Sequence, residues 1–265
     1  KDESVYIATV WQGILHLDKN FKLINQYKID NQPKEKQVSV IFEDKSGLIW
    51  FGGINKGLCV LNPGNNTLQR FTINDGIEDN NNIRAIEDDG KGNLIIGTFN
   101  GLYLFNKATA SFTAFSKLYI PGGEINHYSI LSVKYDNAGT LWVGTYAGGV
   151  SSYHPNNKRF AYFNPAENNR YTSVIGIMVE DRKHNLWIAS EGAGLIGWDV
   201  KNRKFSFNRI DSEKNESYSK NIIKCLYQEG DNIYCGTSRS EIFLFNTINH
   251  KFRFLYKLND ERKVV

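Results

Sequence analysis

One short pattern recurs six times in this chain: two or three apolar residues, then Gly or Ala, then a small or hydroxyl residue. It reads Tyr6-Ile7-Ala8-Thr9, Trp50-Phe51-Gly52-Gly53, Ile95-Ile96-Gly97-Thr98, Trp142-Val143-Gly144-Thr145, Trp187-Ile188-Ala189-Ser190 and Tyr234-Cys235-Gly236-Thr237. The Gly/Ala positions are 44, 45, 47, 45 and 47 residues apart. A period of this size belongs to tandem structural units that bury their faces against their neighbours.

Each unit reads as four short strands. In the clearest, 38–42 is an apolar run, 43–47 a turn, 48–53 a second strand, 57–61 a third, 62–66 a turn and 67–72 a fourth. Four strands per repeat is the pattern of β-propeller blades, whose stacking buries sheets that could not bury both faces alone. Inner strands are expected at 38–42, 83–87, 130–135, 174–180 and 222–228. The second-strand Gly/Ala is expected to let the neighbouring sheet approach closely. Gly47, Gly92, Gly139 and His184 occupy a turn position suited to positive φ. Asp44, Asp88, Asp136 and Asp181 read as one recurring turn cap. Asn pairs such as Asn65-Asn66 and Asn80-Asn81-Asn82 read as further turns.

The strand count is uneven: six second, third and fourth strands, but five first strands. Only residues 258–265 follow the last fourth strand, whereas the other connections to a first strand take eight to fourteen residues. The chain therefore reads as a partial β-propeller over 1–265, all-β, of about five and three-quarter blades. Its units are about 5–29, 38–72, 83–116, 130–164, 174–210 and 222–257.

Composition narrows the function. A net charge of +4 is too small to argue for nucleic acid, and no apolar run is long enough to cross a membrane. Cys59, Cys225 and Cys235 make no complete disulfide framework and read as buried thiols, although a Cys225–Cys235 bridge across one hairpin is conceivable. Five scattered histidines show no zinc spacing, the acids of 74–79 do not match a calcium loop, and no nucleophile-elbow or phosphate-loop motif is present. No cofactor or metal is expected.

A propeller brings its fourth-to-first and second-to-third connections to one face, and the fourth-to-first connections here are the long ones: 30–37, 73–82, 116–129, 164–173 and 210–221. Long loops on a rigid scaffold commonly carry binding. Candidate ligand residues on the second-to-third connections are Trp11, Asn55, Lys56, Phe99, Asn100, Tyr146, Glu191 and Arg239. The long loops add His127, Tyr128, Arg170 and Tyr171. Aromatic faces suit the C–H surfaces of sugars, and amide, Arg and carboxylate groups suit their hydroxyls. Acids on the same side include Asp75, Glu78, Asp79, Glu124, Glu167 and Glu191, which a propeller glycosidase would need as a convergent pair.

The run Ile41-Phe42-Glu43-Asp44-Lys45-Ser46-Gly47-Leu48-Ile49-Trp50-Phe51-Gly52-Gly53, followed by Gly57-Leu58, resembles the two-component regulator propeller repeat. So do Val179-Glu180-Asp181 with Leu186-Trp187-Ile188-Ala189-Ser190 and Gly194-Leu195, and Gly139-Thr140-Leu141-Trp142-Val143-Gly144-Thr145. The last unit departs, with Tyr234 in place of Trp and Ser240-Glu241-Ile242 in place of Gly-Leu; the unit at 83–116 has Ile95 for Trp. The resemblance implies a seven-bladed propeller in the periplasmic sensor half of an inner-membrane hybrid histidine kinase. It further implies more blades, an immunoglobulin-like domain, a membrane helix and a kinase in the same regulator, and a dimeric full-length protein. The implied function is oligosaccharide binding that controls transcription of polysaccharide-utilisation genes, with no catalysis in this chain. The alternatives are a protein-interaction scaffold and a propeller glycosidase or lyase.

Overall fold

The computed structural model describes residues 4–10, 12–28, 37–74, 76–115, 129–154, 156, 160–163, 174–210 and 221–257. Among them are six antiparallel sheets, one three-stranded and five four-stranded, with strands paired in chain order. Sheet 1 is β1 (Val5–Thr9), β2 (Gly13–Leu17) and β3 (Leu23–Tyr27). Sheet 2 is β4 (Val38–Glu43), β5 (Ile49–Gly53), β6 (Leu58–Asn62) and β7 (Thr67–Phe71). Sheet 3 is β8 (Ile83–Asp88), β9 (Asn93–Thr98), β10 (Gly101–Asn106) and β11 (Ser111–Ala114). Sheet 4 is β12 (Ile130–Tyr135), β13 (Leu141–Thr145), β14 (Val150–Tyr153) and β15 (Phe160–Phe163). Sheet 5 is β16 (Ile175–Glu180), β17 (Leu186–Ser190), β18 (Leu195–Asp199) and β19 (Lys204–Asn208). Sheet 6 is β20 (Ile223–Glu229), β21 (Asn232–Thr237), β22 (Glu241–Asn246) and β23 (Lys251–Lys257). The chain is thus all-β, of the β-propeller blade type. Each expected inner strand is a strand.

Two compact units divide the chain: residues 1–121 with 128–133, and 122–127 with 134–265. In the first, sheet 1 contributes Ile14, Tyr6 and Ala8 to a core with Phe51, Ile49, Cys59 and Leu61 of sheet 2. The other face of sheet 2, with Trp50 and Leu58, packs on Ile83, Leu94, Ile96 and Phe105 of sheet 3. In the second unit, Trp142 and Val150 of sheet 4 pack on Ile175, Leu186 and Ile196 of sheet 5, whose Trp187, Ala189 and Leu195 pack on Ile223, Ile233 and Phe245 of sheet 6. Burying one such Leu, Ile or Phe stabilises by about 1.5–3 kcal/mol.

The second-strand glycine works as its position suggests. A Cβ on Gly52 would lie 2.4 Å from Cβ of Ile83, and one on Gly97 2.6 Å from Cγ2 of Ile130. The first residue of an inner strand thus plugs the gap that the glycine leaves in the preceding sheet.

Four inner strands also carry a bulge that periodicity did not reveal. Register shifts occur between Val38 and Val40, Ile83 and Ala85, Ile175 and Met178, and Ile223 and Cys225. Such bulges re-aim one side chain.

Two expectations require correction. The cap in sheet 3 is Asp89, three residues before Gly92, and not Asp88. Asp89 Oδ1 accepts from the Lys91 and Asn93 N–H groups at 2.7 and 2.9 Å. Asp88 instead accepts from Gly90 N–H and from Lys107 Nζ. Cys225 is not a buried thiol but an exposed one, and all three cysteines are free. Cys225 lies opposite Gly236, and Cys235 opposite Leu226. Successive residues point to opposite sides of a strand, so the two thiols are not aimed at each other.

Candidate functional site

The hydroxyl that follows the second-strand Gly/Ala shapes the connection carrying the candidate residues. Thr98 Oγ1 donates to Gly101 O at 3.0 Å and accepts from Asn100 N–H. Thr145 Oγ1 donates to Gly149 O and accepts from Gly148 N–H; Ser190 Oγ does the same with Gly194 O and Ala193 N–H. Thr237 Oγ1 accepts from the N–H groups of Arg239 and Glu241. These four tips, in sheets 3 to 6, are therefore braced by a buried or part-buried hydroxyl beneath them, whereas sheet 2 has Gly53 at this position.

In the first unit the structure brings Asn55, Lys56, Phe99 and Asn100 to one end of sheets 2 and 3. The link is the long connection before β8. Asn82 Oδ1 accepts from Asn55 N–H at 2.6 Å, and Asn82 O accepts from Phe99 N–H at 3.1 Å. Asn81 O accepts from Gly57 N–H, while the Asn81 side chain accepts from Ile73 N–H and donates to Ile73 O. A 3₁₀ turn, Glu78–Asn81, leads into this link. Asn55 is exposed with φ 54°, whereas Lys56 is buried at 4% exposure. Phe99 is 50% exposed, and the Arg84 guanidinium lies 5.6 Å from its ring centroid. Arg84 is the bulged residue of β8, and its Nη1 donates to Ser129 Oγ at 2.8 Å.

The second unit repeats the link. Asn221 O accepts from Gly192 and Gly194 N–H, Asn221 Oδ1 accepts from Ile210 N–H, and Ile222 O accepts from Ser238 N–H. Glu191 forms a β-bridge with Ile222, and its carboxylate pairs with Lys224, the bulged residue of β20. Tyr146 is 52% exposed, and Arg239 is exposed at its own tip. Trp11, His127, Tyr128, Arg170 and Tyr171 lie outside the described residues, as do Asp75, Glu124 and Glu167.

Sequence reading missed Arg84, Lys224, Ser129 and the paired Asn81 and Asn221. The signals were present. A basic residue stands second in an apolar inner strand at both Arg84 and Lys224, and an Asn stands two residues before Ile83 and Ile223. An aromatic ring with a cation against it, next to amide and hydroxyl groups, can bind a ligand by stacking and hydrogen bonding. Among the described residues no group of three His, Cys, Asp or Glu is placed to hold a metal ion, and no helix is long and apolar enough to cross a membrane.

No family model and no curated protein sequence matches the chain. Solved structures do match. One is an extracellular domain from B. thetaiotaomicron described as belonging to a hybrid two-component system, at 17% identity and a TM-score of 0.76 over 97% of this chain. A second such domain from the same organism gives 16% identity and a TM-score of 0.69, also over 97%. The chain spans only 35% and 40% of the length of those two structures. A third is a catalytically inactive virginiamycin B lyase from Staphylococcus aureus with quinupristin. It is 12% identical with a TM-score of 0.71, over 98% of this chain and 87% of the lyase. At these identities the likeness is one of fold.

Proposed function

We propose that the chain is a ligand-sensing part of the extracytoplasmic region of a two-component regulator of the hybrid histidine kinase type. It binds oligosaccharides at the strand-connection tips and so controls transcription of polysaccharide-utilisation genes. The observation that carries this reading is the likeness, over nearly the whole chain, to extracellular domains of hybrid two-component systems. The repeat residues point to the same family, and the Phe99–Arg84 platform supplies a sugar-compatible surface. On this reading the sheets belong to a seven-bladed propeller in a periplasmic, dimeric, membrane-anchored protein whose other blades, immunoglobulin-like domain and kinase lie outside this chain. Trp11, Tyr146, Glu191 and Arg239, with the loop residues His127, Tyr128, Arg170 and Tyr171, complete the candidate ligand set. A glycan-array screen followed by chromatographic product analysis tests it: a glycan bound and recovered intact is expected.

A second reading, a propeller lyase, is favoured by one observation: the match to the lyase extends over most of both chains. Turnover of a bound glycan, or of quinupristin put through the same product analysis, would replace the sensor reading with this one.

A further inference from the structure

We propose that the outward face of sheet 6 is a docking face for one more four-stranded sheet of the same repeat, and that docking covers the Cys225 thiol. This rests on the reading of the chain as part of a larger propeller, and adds the residues that receive the neighbour and the chemistry that the neighbour must bring.

Every described sheet-to-sheet interface uses one arrangement. In sheet 2, Val40 lies opposite Gly52, Phe42 opposite Trp50, and Leu58 between Gly52 and Phe71. That face is closed by sheet 3, whose Ile83 seats where Gly52 lacks a side chain. In sheet 5, Trp187, Ala189 and Leu195 are closed in the same way by Ile223, Ile233 and Phe245 of sheet 6.

Sheet 6 repeats the receiving face residue for residue. Cys225 lies opposite Gly236, Tyr227 opposite Tyr234, and Ile242 between Gly236 and Tyr256. Its opposite face is the one filled by sheet 5. On the outward face Tyr227 is 65% and Tyr256 56% exposed, and Cys225 and Ile242 are exposed as well. A Cβ on Gly236 would meet only Cys225 Sγ, with no residue of a following strand near it. An exposed apolar face of this extent marks an interaction surface. The repeated interface specifies the occupant: a sheet whose inner strand opens with Val or Ile, the residue types that stand at Val38, Ile83, Ile130, Ile175 and Ile223.

Cys225 is the built-in reporter, because Cys59 and Cys235 are buried. The probe is a copy of residues 72–115, the connection and sheet 3, appended after Lys257. N-ethylmaleimide labelling of Cys225 is followed by mass spectrometry in native buffer, with sedimentation to report the oligomeric state. The expected result is rapid labelling in the monomeric original chain and at least tenfold slower labelling in the extended one. An Ile→Asp change at the appended copy of Ile83 should restore the fast rate. A second measurement guards against an appended sheet that fails to form: Tyr227→Ser with Tyr256→Ser should leave the melting temperature of the original chain unchanged but lower that of the extended chain. Equal labelling rates together with equal effects of the tyrosine pair in both chains overturn the proposal. Protection of Cys225 in the original chain by self-association also overturns it, since the occupant is then a second copy. No glycan enters the assay, so a failed glycan screen and a failed docking test are separate results.

Discussion

The indole Nε1 of Trp187 donates to Asp181 Oδ2 at 2.8 Å, across the turn that joins an inner strand to the second strand. Trp50 with Asp44 and Trp142 with Asp136 have the same bond at the same length. In all three the other carboxylate oxygen accepts the N–H groups two and four residues on, so one Asp closes the turn and pins the Trp that packs on the next sheet. Sheet 3 lacks the Trp, and Asn93 Nδ2 takes the second oxygen of Asp89 instead.

Asp181→Ala should therefore cost about 2–4 kcal/mol, because it strands a buried indole N–H as well as two backbone donors. Asp89→Ala should cost about 1–2 kcal/mol, since its donors lie nearer water. Urea unfolding of both variants checks the order. Equal losses would mean that the Trp bond adds nothing.

Close approach at the second-strand glycine predicts strain on adding one methyl group. Gly97→Ala should destabilise by about 1–3 kcal/mol through overpacking against Ile130 Cγ2. Ile130→Ala in the same molecule removes that atom, so the double variant should lose clearly less than the sum of the two singles. Additive losses would place the strain elsewhere.

Burial pushes the Asp44 carboxyl up, but bonds from Ser46, Trp50 and the Ser46 and Leu48 N–H groups outweigh it and hold the group below its ordinary 3.8. A depressed folded-state value stabilises above the ordinary carboxylate range, and that contribution is lost as pH falls through the depressed value. Lys107, which bridges Asp88 at 2.9 Å and Asp44 at 3.6 Å, is partly desolvated yet held above 10.5 by these carboxylates. Its contribution is present below 10.5 and lost at higher pH. Urea midpoints across pH should show a shallower acid limb in Asp44→Asn and a shallower alkaline limb in Lys107→Met. Unchanged limbs would remove both groups from the account.

Burial, with a smaller contribution from Cys225, raises the Cys235 thiol to about 12. At pH 8 a maleimide should label Cys225 alone, and Cys59 and Cys235 only after denaturant is added. Early labelling of Cys235 would contradict the packing of sheet 6 against sheet 5.

The blades were legible because a glycine with a steric reason recurs at nearly constant spacing, and because Gly47, Gly92, Gly139 and His184 do adopt positive φ. The Asp–Trp bond was legible only as spacing: Asp and Trp stand six apart in three units, but a turn cap uses one carboxylate oxygen, and only the folded turn shows the other reaching the indole. The run Glu87-Asp88-Asp89 offers adjacent acids, and only the three-residue spacing to Gly92 separates the capping Asp89 from Asp88. Site residues on the tips were readable as positions but not as environments. Lys56 and Asn55 are neighbours in sequence, yet one is buried and the other exposed. Arg84 and Lys224 are visible as basic residues second in apolar strands, but where they point is set by a bulge that alternation does not express.

Binding at the connection tips is the central claim, and titration calorimetry of the chain and of Phe99→Ala and Tyr146→Ala against the array-selected glycan tests it most directly. Both residues are half exposed on connections outside the cores, so the variants should fold and melt as the original does. The account predicts that at least one of them weakens binding by about 1–2 kcal/mol, the loss expected of a contact aromatic. Unchanged affinity in both, with the glycan still bound, would contradict it.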